Sequence, residues 1–257
     1  MATTKCPTCG ADLEVIERVR VRPSWAGGGQ ETIRETIGCE ACERRQEQRQ
    51  AAIVEERRFR SGLRDSGIPE QVWDLGLDAA SWRQHRLDLD DGNKPAIAAL
   101  REWVEADNAG CLLMGTQGLG KTLLAMCAGV ECIRRGQEVL FVTERDLFDA
   151  FRGRRTSERD ITLEARSIEV LILDDIGRHQ IDRGSKFMVE VYLDLFDCRL
   201  PIIGPPLKTL LTTQQDAASL AKACADDALA SRLMAIVGGN HVELSGRDRR
   251  RVRWGRA

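Results

Sequence analysis

Gly115-Thr116-Gln117-Gly118-Leu119-Gly120-Lys121-Thr122 fits G-x-x-x-x-G-K-[ST] and constrains the fold of this 257-residue chain more than any other stretch. The apolar run Cys111–Met114 enters it as a short strand, and a helical pattern from Thr122 to Arg135 leaves it. Strand, glycine turn and helix in that order belong to a parallel sheet covered by helices. The glycines let successive N–H groups curl inward toward phosphate oxygens, and the helix adds the positive end of its dipole. Lys121 supplies a point charge for the β- and γ-phosphates, and Thr122 a hydroxyl for Mg²⁺. ATP–Mg²⁺ is the ligand this octapeptide is built to hold.

The alternation continues on both sides of the motif. Helices are expected over Ala96–Ala106, Glu144–Phe151, Ser185–Phe196, Ala217–Cys224 and Asp227–Ile236, and strands over Val139–Thr143, Val170–Leu173 and Thr209–Thr213. Val170-Leu171-Ile172-Leu173-Asp174-Asp175 has the form of a Walker B segment, an apolar strand of the same sheet tipped with acids. In that reading Asp174 holds Mg²⁺ and Asp175 orients or deprotonates the attacking water. Nucleotide binding follows from the motif; hydrolysis depends on geometry, so an adaptor that only binds nucleotide stays open.

The N-terminal segment has a different grammar. Cys6-Pro-Thr-Cys9 and Cys39-Glu-Ala-Cys42 flank a stretch with strand-like alternation at Val15, Val19 and Val21, a turn at Pro23 and Gly27–Gly29, and a return over Glu31–Ile37. Four thiolates at this spacing suit a tetrahedral Zn²⁺ site, with a redox pair or free thiols as the alternatives. The start, Met-Ala-Thr-Thr-Lys-Cys-Pro, lacks the apolar core of an export signal, and no apolar run reaches bilayer length. A cytoplasmic, reducing location with no membrane partner is therefore expected, where disulfides are a poor default. Cys111, Cys127, Cys132, Cys198 and Cys224 lie in apolar patterns and read as core, and the three histidines show no ligand spacing. Residues 1–45 then form a zinc ribbon, 46–65 a charged helical connector rich in Arg, Glu and Gln, and 66–257 the nucleotide domain. The net charge of −2 leaves any nucleic-acid contact to local patches. Arg18, Arg20, Arg22 and Arg34 make the ribbon locally basic, although nearby acids dilute them. The tail Arg247–Arg256, with Trp254, is either a grip for single-stranded DNA or a solvated end.

Several further segments resemble the helicase-loader ATPases of the DnaC type and the related IstB transposition ATPases, a compact AAA+ group. They are Ser66-Gly67-Ile68-Pro69-Glu70, Val139–Thr143, Leu171–Gly177, Pro206–Gln214, Ala230-Ser231-Arg232-Leu233 and Val242–Arg250. The resemblance implies an α/β AAA+ P-loop three-layer sandwich with a parallel sheet, behind the zinc ribbon and helical connector. It implies that Gln214 stands at the sensor-1 position, where the family usually carries Asn. It implies that Arg232 is an arginine finger acting on the ATP of a neighbouring subunit, so that activity needs self-association. It also places Arg250 near the nucleotide in cis. The implied function is ATP-dependent loading of a hexameric replicative helicase, with single-stranded DNA as a second partner and the ribbon as the helicase contact. A transposition helper ATPase is the alternative within the group.

Overall fold

The computed structural model describes residues 4–13, 15–22, 25, 27–36, 39–78, 81–82, 93–107, 110–153, 160–177, 186–216, 219–220, 226–246 and 248. The chain divides into two compact units, Met1–Arg58 and Phe59–Ala257.

In the first unit β1 (Thr4–Lys5) and β2 (Asp12–Leu13) pair antiparallel, with Thr4 opposite Leu13. Between them Gly10 N–H donates to Cys6 O (2.9 Å) and Cys6 N–H to Ala11 O (2.8 Å), closing a knuckle around Cys6 and Cys9. Then β3 (Val15–Arg22) and β4 (Gly29–Thr36) form a two-stranded ribbon, Val15 opposite Thr36 and Arg22 opposite Gly29. Val19 and Val21 are exposed on it, as is Trp25 in its connection. Helix α1 (Glu40–Asp65) begins just after Cys39, whose carbonyl accepts from Cys42 N–H and Glu43 N–H. It is longer than the charged run suggests, because acids open it and an arginine lies in its last turn, matching the helix dipole.

The second unit is a three-layer sandwich. Its sheet contains β5 (Gly110–Met114), β6 (Val139–Thr143), β7 (Val170–Ile176), β8 (Lys208–Thr213) and β9 (His241–Glu243), in the order β6-β7-β8-β5-β9 with every pairing parallel. Side chains alternate between two cores, as the two-residue period of a strand requires. Cys111, Leu113, Val170, Ile172 and Leu210 face α2 (Lys94–Glu105) and α3 (Lys121–Arg134). Leu112, Met114, Leu171, Leu173 and Leu211 face the other layer. That layer is α4 (Glu144–Phe151), α5 (Ile161–Ser167), α6 (Lys186–Arg199) and α7 (Asp227–Val237). The entry segment docks on β6: Phe141 N–H donates to Ser66 O at 2.7 Å, and the Ser66 hydroxyl bridges Leu63 O and Ile68 N–H.

The structure departs from the sequence expectations at several points. Helix α5 was not expected; it is only seven residues long, and its start is set by the Asp160 carboxylate accepting from Thr162 and Leu163 N–H. Strand β7 runs past Leu173 to Ile176 through a register shift. Cys198 is exposed and not a core residue, because in the last turn of α6 it lies with exposed Asp197, on the side away from the buried Phe196. Cys224, most of the helix expected over Ala217–Cys224, and the tail residues Arg250 and Trp254 lie outside the described residues.

Two buried cations tie the sheet to its helices. Arg199 donates to Ala165 O and Ile168 O at the end of α5, to Lys208 O and to Thr209 Oγ1. Lys208 Nζ donates to Val104 O (2.9 Å) and Ala106 O (2.8 Å) at the end of α2. Both place positive charge where a helix leaves carbonyls unpaired. Burial pulls the Arg199 guanidinium down to about 9.

Candidate functional site

The glycine loop sits at the C-terminal tip of β5. Gly115, Gly118 and Gly120 all have positive φ (138°, 83° and 94°). Close approach adds to the requirement: a Cβ on Gly115 would lie 2.7 Å from Leu244 O, and one on Gly118 would lie 1.9 Å from Asp248 Oδ1. The segment following β9 therefore rests on the loop. Leu119 is buried beneath it, while Thr116, Gln117 and Gly118 are partly or fully exposed. Lys121 is buried, and its ammonium folds back on the loop, donating to Gly115 O (2.7 Å) and Thr116 O (2.9 Å).

Asp174 stands at the tip of β7, two strands away from β5. Thr122 Oγ1 donates to its Oδ2 at 3.1 Å, and Thr212 Oγ1 on β8 donates to its Oδ1 at 2.6 Å. The structure thus brings together the P-loop threonine and the first Walker B acid, which are 52 residues apart. Burial is the chief influence on this carboxyl and raises it above the usual carboxylate range, with the two threonine hydroxyls pulling it back. A buried carboxylate beside a threonine hydroxyl and an ammonium is an acid that gains from a divalent cation. Those residues fit Mg²⁺.

Asp175 is the one non-glycine residue with positive φ among those described, at 63°. Asp tolerates this left-handed region better than most residues, and here neighbours hold it there. Its N–H donates to Thr212 Oγ1 (2.9 Å), and Gln214 Nε2 donates to its Oδ1 (2.8 Å). Thr213 Oγ1 donates to Ile176 O, and Gln215 Nε2 to Gly177 O (2.8 Å). From the other side Glu144, buried at the start of α4, accepts from Gly177 N–H (2.8 Å) and from the Tyr192 hydroxyl. Four successive residues at the end of β8 thereby grip four successive residues at the end of β7. Gln214, which the resemblance places at the sensor-1 position, uses one N–H of its amide on Asp175. Thr212, Thr213, Gln215 and Glu144 were not singled out by the sequence; the run Leu-Leu-Thr-Thr-Gln-Gln signals polar chemistry without naming its partners.

Arg232, on α7, is not near this cluster in its own contacts. Its Nε and Nη2 donate to Asp197 on α6 and its Nη1 to Ala228 O. In the first unit the Cys6, Cys9, Cys39 and Cys42 Sγ atoms all lie within 4.8 Å of one another, with Cys9–Cys39 at 3.4 Å and Cys6–Cys42 at 3.7 Å. Sulfurs around Zn²⁺ at about 2.3 Å stand about 3.8 Å apart in a tetrahedron, so the four thiols fit that ion. The N–H of Thr8, then that of Cys9, lowers the Cys6 thiol to about 6, and the neighbouring Cys9 thiol foremost pushes Cys42 up to about 12.

Residues 32–251 match the family of IstB-like ATP binding proteins, which is most of the chain. The protein is a member of that family. This IstB-like protein is 27% identical over 121 residues to the replicative helicase loader DnaC of Escherichia coli strain K12, covering 44% of this chain and 49% of DnaC. It is 36% identical over 77 residues to an insertion-sequence ATP-binding protein of Geobacillus stearothermophilus, covering 29% and 30% of the two chains. The chain spans about half the length of the first of these relatives. Among solved structures the DnaI crystal structure superposes with a TM-score of 0.54 at 23% identity, covering 72% of this chain and 95% of that one. At that identity the likeness speaks for the fold, an AAA+ P-loop sandwich. Among the described residues no helix is long and apolar enough to cross a membrane.

Proposed function

We propose that this IstB-like protein is an ATPase that loads a hexameric replicative helicase in the cytoplasm, using its zinc module to recruit the helicase and its AAA+ unit to bind ATP and single-stranded DNA. The observation that carries the reading is the pairing of a four-thiol module with a P-loop unit whose Thr122, Asp174 and Asp175 are already in register. The similarity to DnaC supports the same choice.

In this reading the N–H groups of Thr116, Gln117, Gly118, Leu119 and Gly120 take the phosphate oxygens, and Lys121 exchanges two neutral carbonyls for the β- and γ-phosphates. Thr122 and Asp174 hold Mg²⁺, which supplies charge neutralisation on the triphosphate when bound. Asp175, fixed by Gln214, accepts a proton from the attacking water. Arg232 reaches the ATP of a neighbouring copy and stabilises charge on the γ-phosphoryl oxygens. Arg250 approaches the same nucleotide from its own chain, and Cys6, Cys9, Cys39 and Cys42 hold Zn²⁺.

Co-purification with a replicative helicase tests the reading. Capture of the helicase by the wild-type chain, lost on Cys39→Ser with Cys42→Ser, is the expected result; capture that ignores these cysteines removes the recruiting role. A second reading, a helper ATPase in transposition, is favoured by the 36% identity to the insertion-sequence protein. Selective binding of a transposase would move the assignment there. Turnover that Lys121→Ala leaves untouched would reject both.

A further inference from the structure

We propose that Asp197 is a positioning residue for Arg232, holding one edge of the guanidinium so that its other edge is presented to ATP bound in a second copy of this chain. This rests on the reading of Arg232 as a finger acting between subunits. Arg232 Nε and Nη2 donate to different oxygens of Asp197, Nη2 to Oδ2 at 3.1 Å. Nη1 donates to Ala228 O at 3.3 Å, one turn earlier on α7. A guanidinium has five N–H groups in a rigid plane, and three of them are thereby committed. Among the described residues no acceptor takes the remaining two, one on each terminal nitrogen, and a pair of N–H groups on a guanidinium matches two oxygens of a phosphoryl group.

The surroundings suit approach by another molecule. The Arg232 side chain is 34% exposed and that of Asp197 55%. Ala228, Ser231, Met234 and Ala235 are exposed beside it on α7, small residues with one flexible apolar one. An exposed ion pair adds little to the stability of a fold. Fixing a long side chain before the encounter removes an entropic cost from the reactive step, which is where the pair has its effect.

Full-length chains in mixed assemblies test this. A chain carrying Asp175→Asn is expected to bind nucleotide without turning it over, which its own binding and turnover assays check first, and in large excess it surrounds each wild-type subunit with silent finger donors. Adding Arg232→Ala to that donor should abolish wild-type turnover; adding Asp197→Ala should lower kcat about tenfold with KM unchanged. Asp197→Glu in the donor should restore most of the loss, and the melting temperature of the Asp197→Ala chain should stay within a few degrees of its parent. A donor with Asp197→Ala that supports turnover as well as the parent donor overturns the proposal. A donor with Arg232→Ala that does so overturns the finger reading beneath it. Should Asp197→Ala not fold, Asp197→Asn, which keeps one acceptor and loses the charge, gives the same readout.

Discussion

Asp174 shows at the residue scale how a site trades stability for chemistry. Its carboxyl is raised chiefly by burial, so the folded state holds the proton more tightly than the unfolded chain does. The native state is therefore penalised progressively as pH rises from the unfolded value of about 3.9 through the folded one. Asp174→Asn is expected to raise the melting temperature of the nucleotide-free protein at neutral pH, by about 2–4 °C for each kcal/mol relieved. The gain should shrink as pH falls toward that window, and Mg²⁺-dependent turnover should be lost. Calorimetric melts across pH check both parts. The acid itself was legible in the sequence, since an apolar run ending in Asp-Asp beside a P-loop has few other uses. Its partners were not. Thr212 lies 38 residues away on a strand that becomes its neighbour only once the sheet has assembled. Gln214 is a similar case, a polar residue of plausible reach whose contact with Asp175 depends on the left-handed turn that aims the carboxylate at it.

Elements were legible wherever the period was long and clean, as in α3, β6 and the buried strands. They were missed where a local capping residue decided the matter, as for the short α5 started by Asp160. Arg199 and Lys208 were equally silent, because nothing in a sequence says that a cation will turn inward to meet helix carbonyls. Arg199 fastens the end of α5 to both α6 and β8 through four groups. Arg199→Leu leaves those acceptors buried and unmatched. The expected cost is about 3 kcal/mol, read as a lower denaturation midpoint with unchanged m-value. A midpoint equal to that of the wild type would assign these bonds no net value.

For the whole molecule, the two compact units predict two separable responses to metal removal. The first unit has one two-residue pair of strands beside its cysteines and one eight-residue ribbon with exposed Val19 and Val21, too little buried apolar surface to hold a fold alone. A strong chelator should abolish its ordered signal, followed by amide hydrogen exchange over residues 4–36, while exchange in β5, β7 and β8 stays slow. Loss of protection in both units together would contradict that independence. The gathering of the four cysteines was readable from spacing, and the P-loop unit from its motif. What spacing and motif do not mark is where one unit gives way to the other: the division falls at Arg58, inside the unbroken helical pattern of α1.

Strand β8 lies between the strand that feeds the phosphate loop and the strand that carries the acids. Residues 212–215 are consequently a bottleneck for change in this protein. Inserting, deleting or re-aiming one residue there would displace Asp174, Asp175 and the turn behind them at the same moment. Change would be absorbed more readily where the ties are looser, as on the exposed face of α7 around Ala228, Ser231 and Ala235.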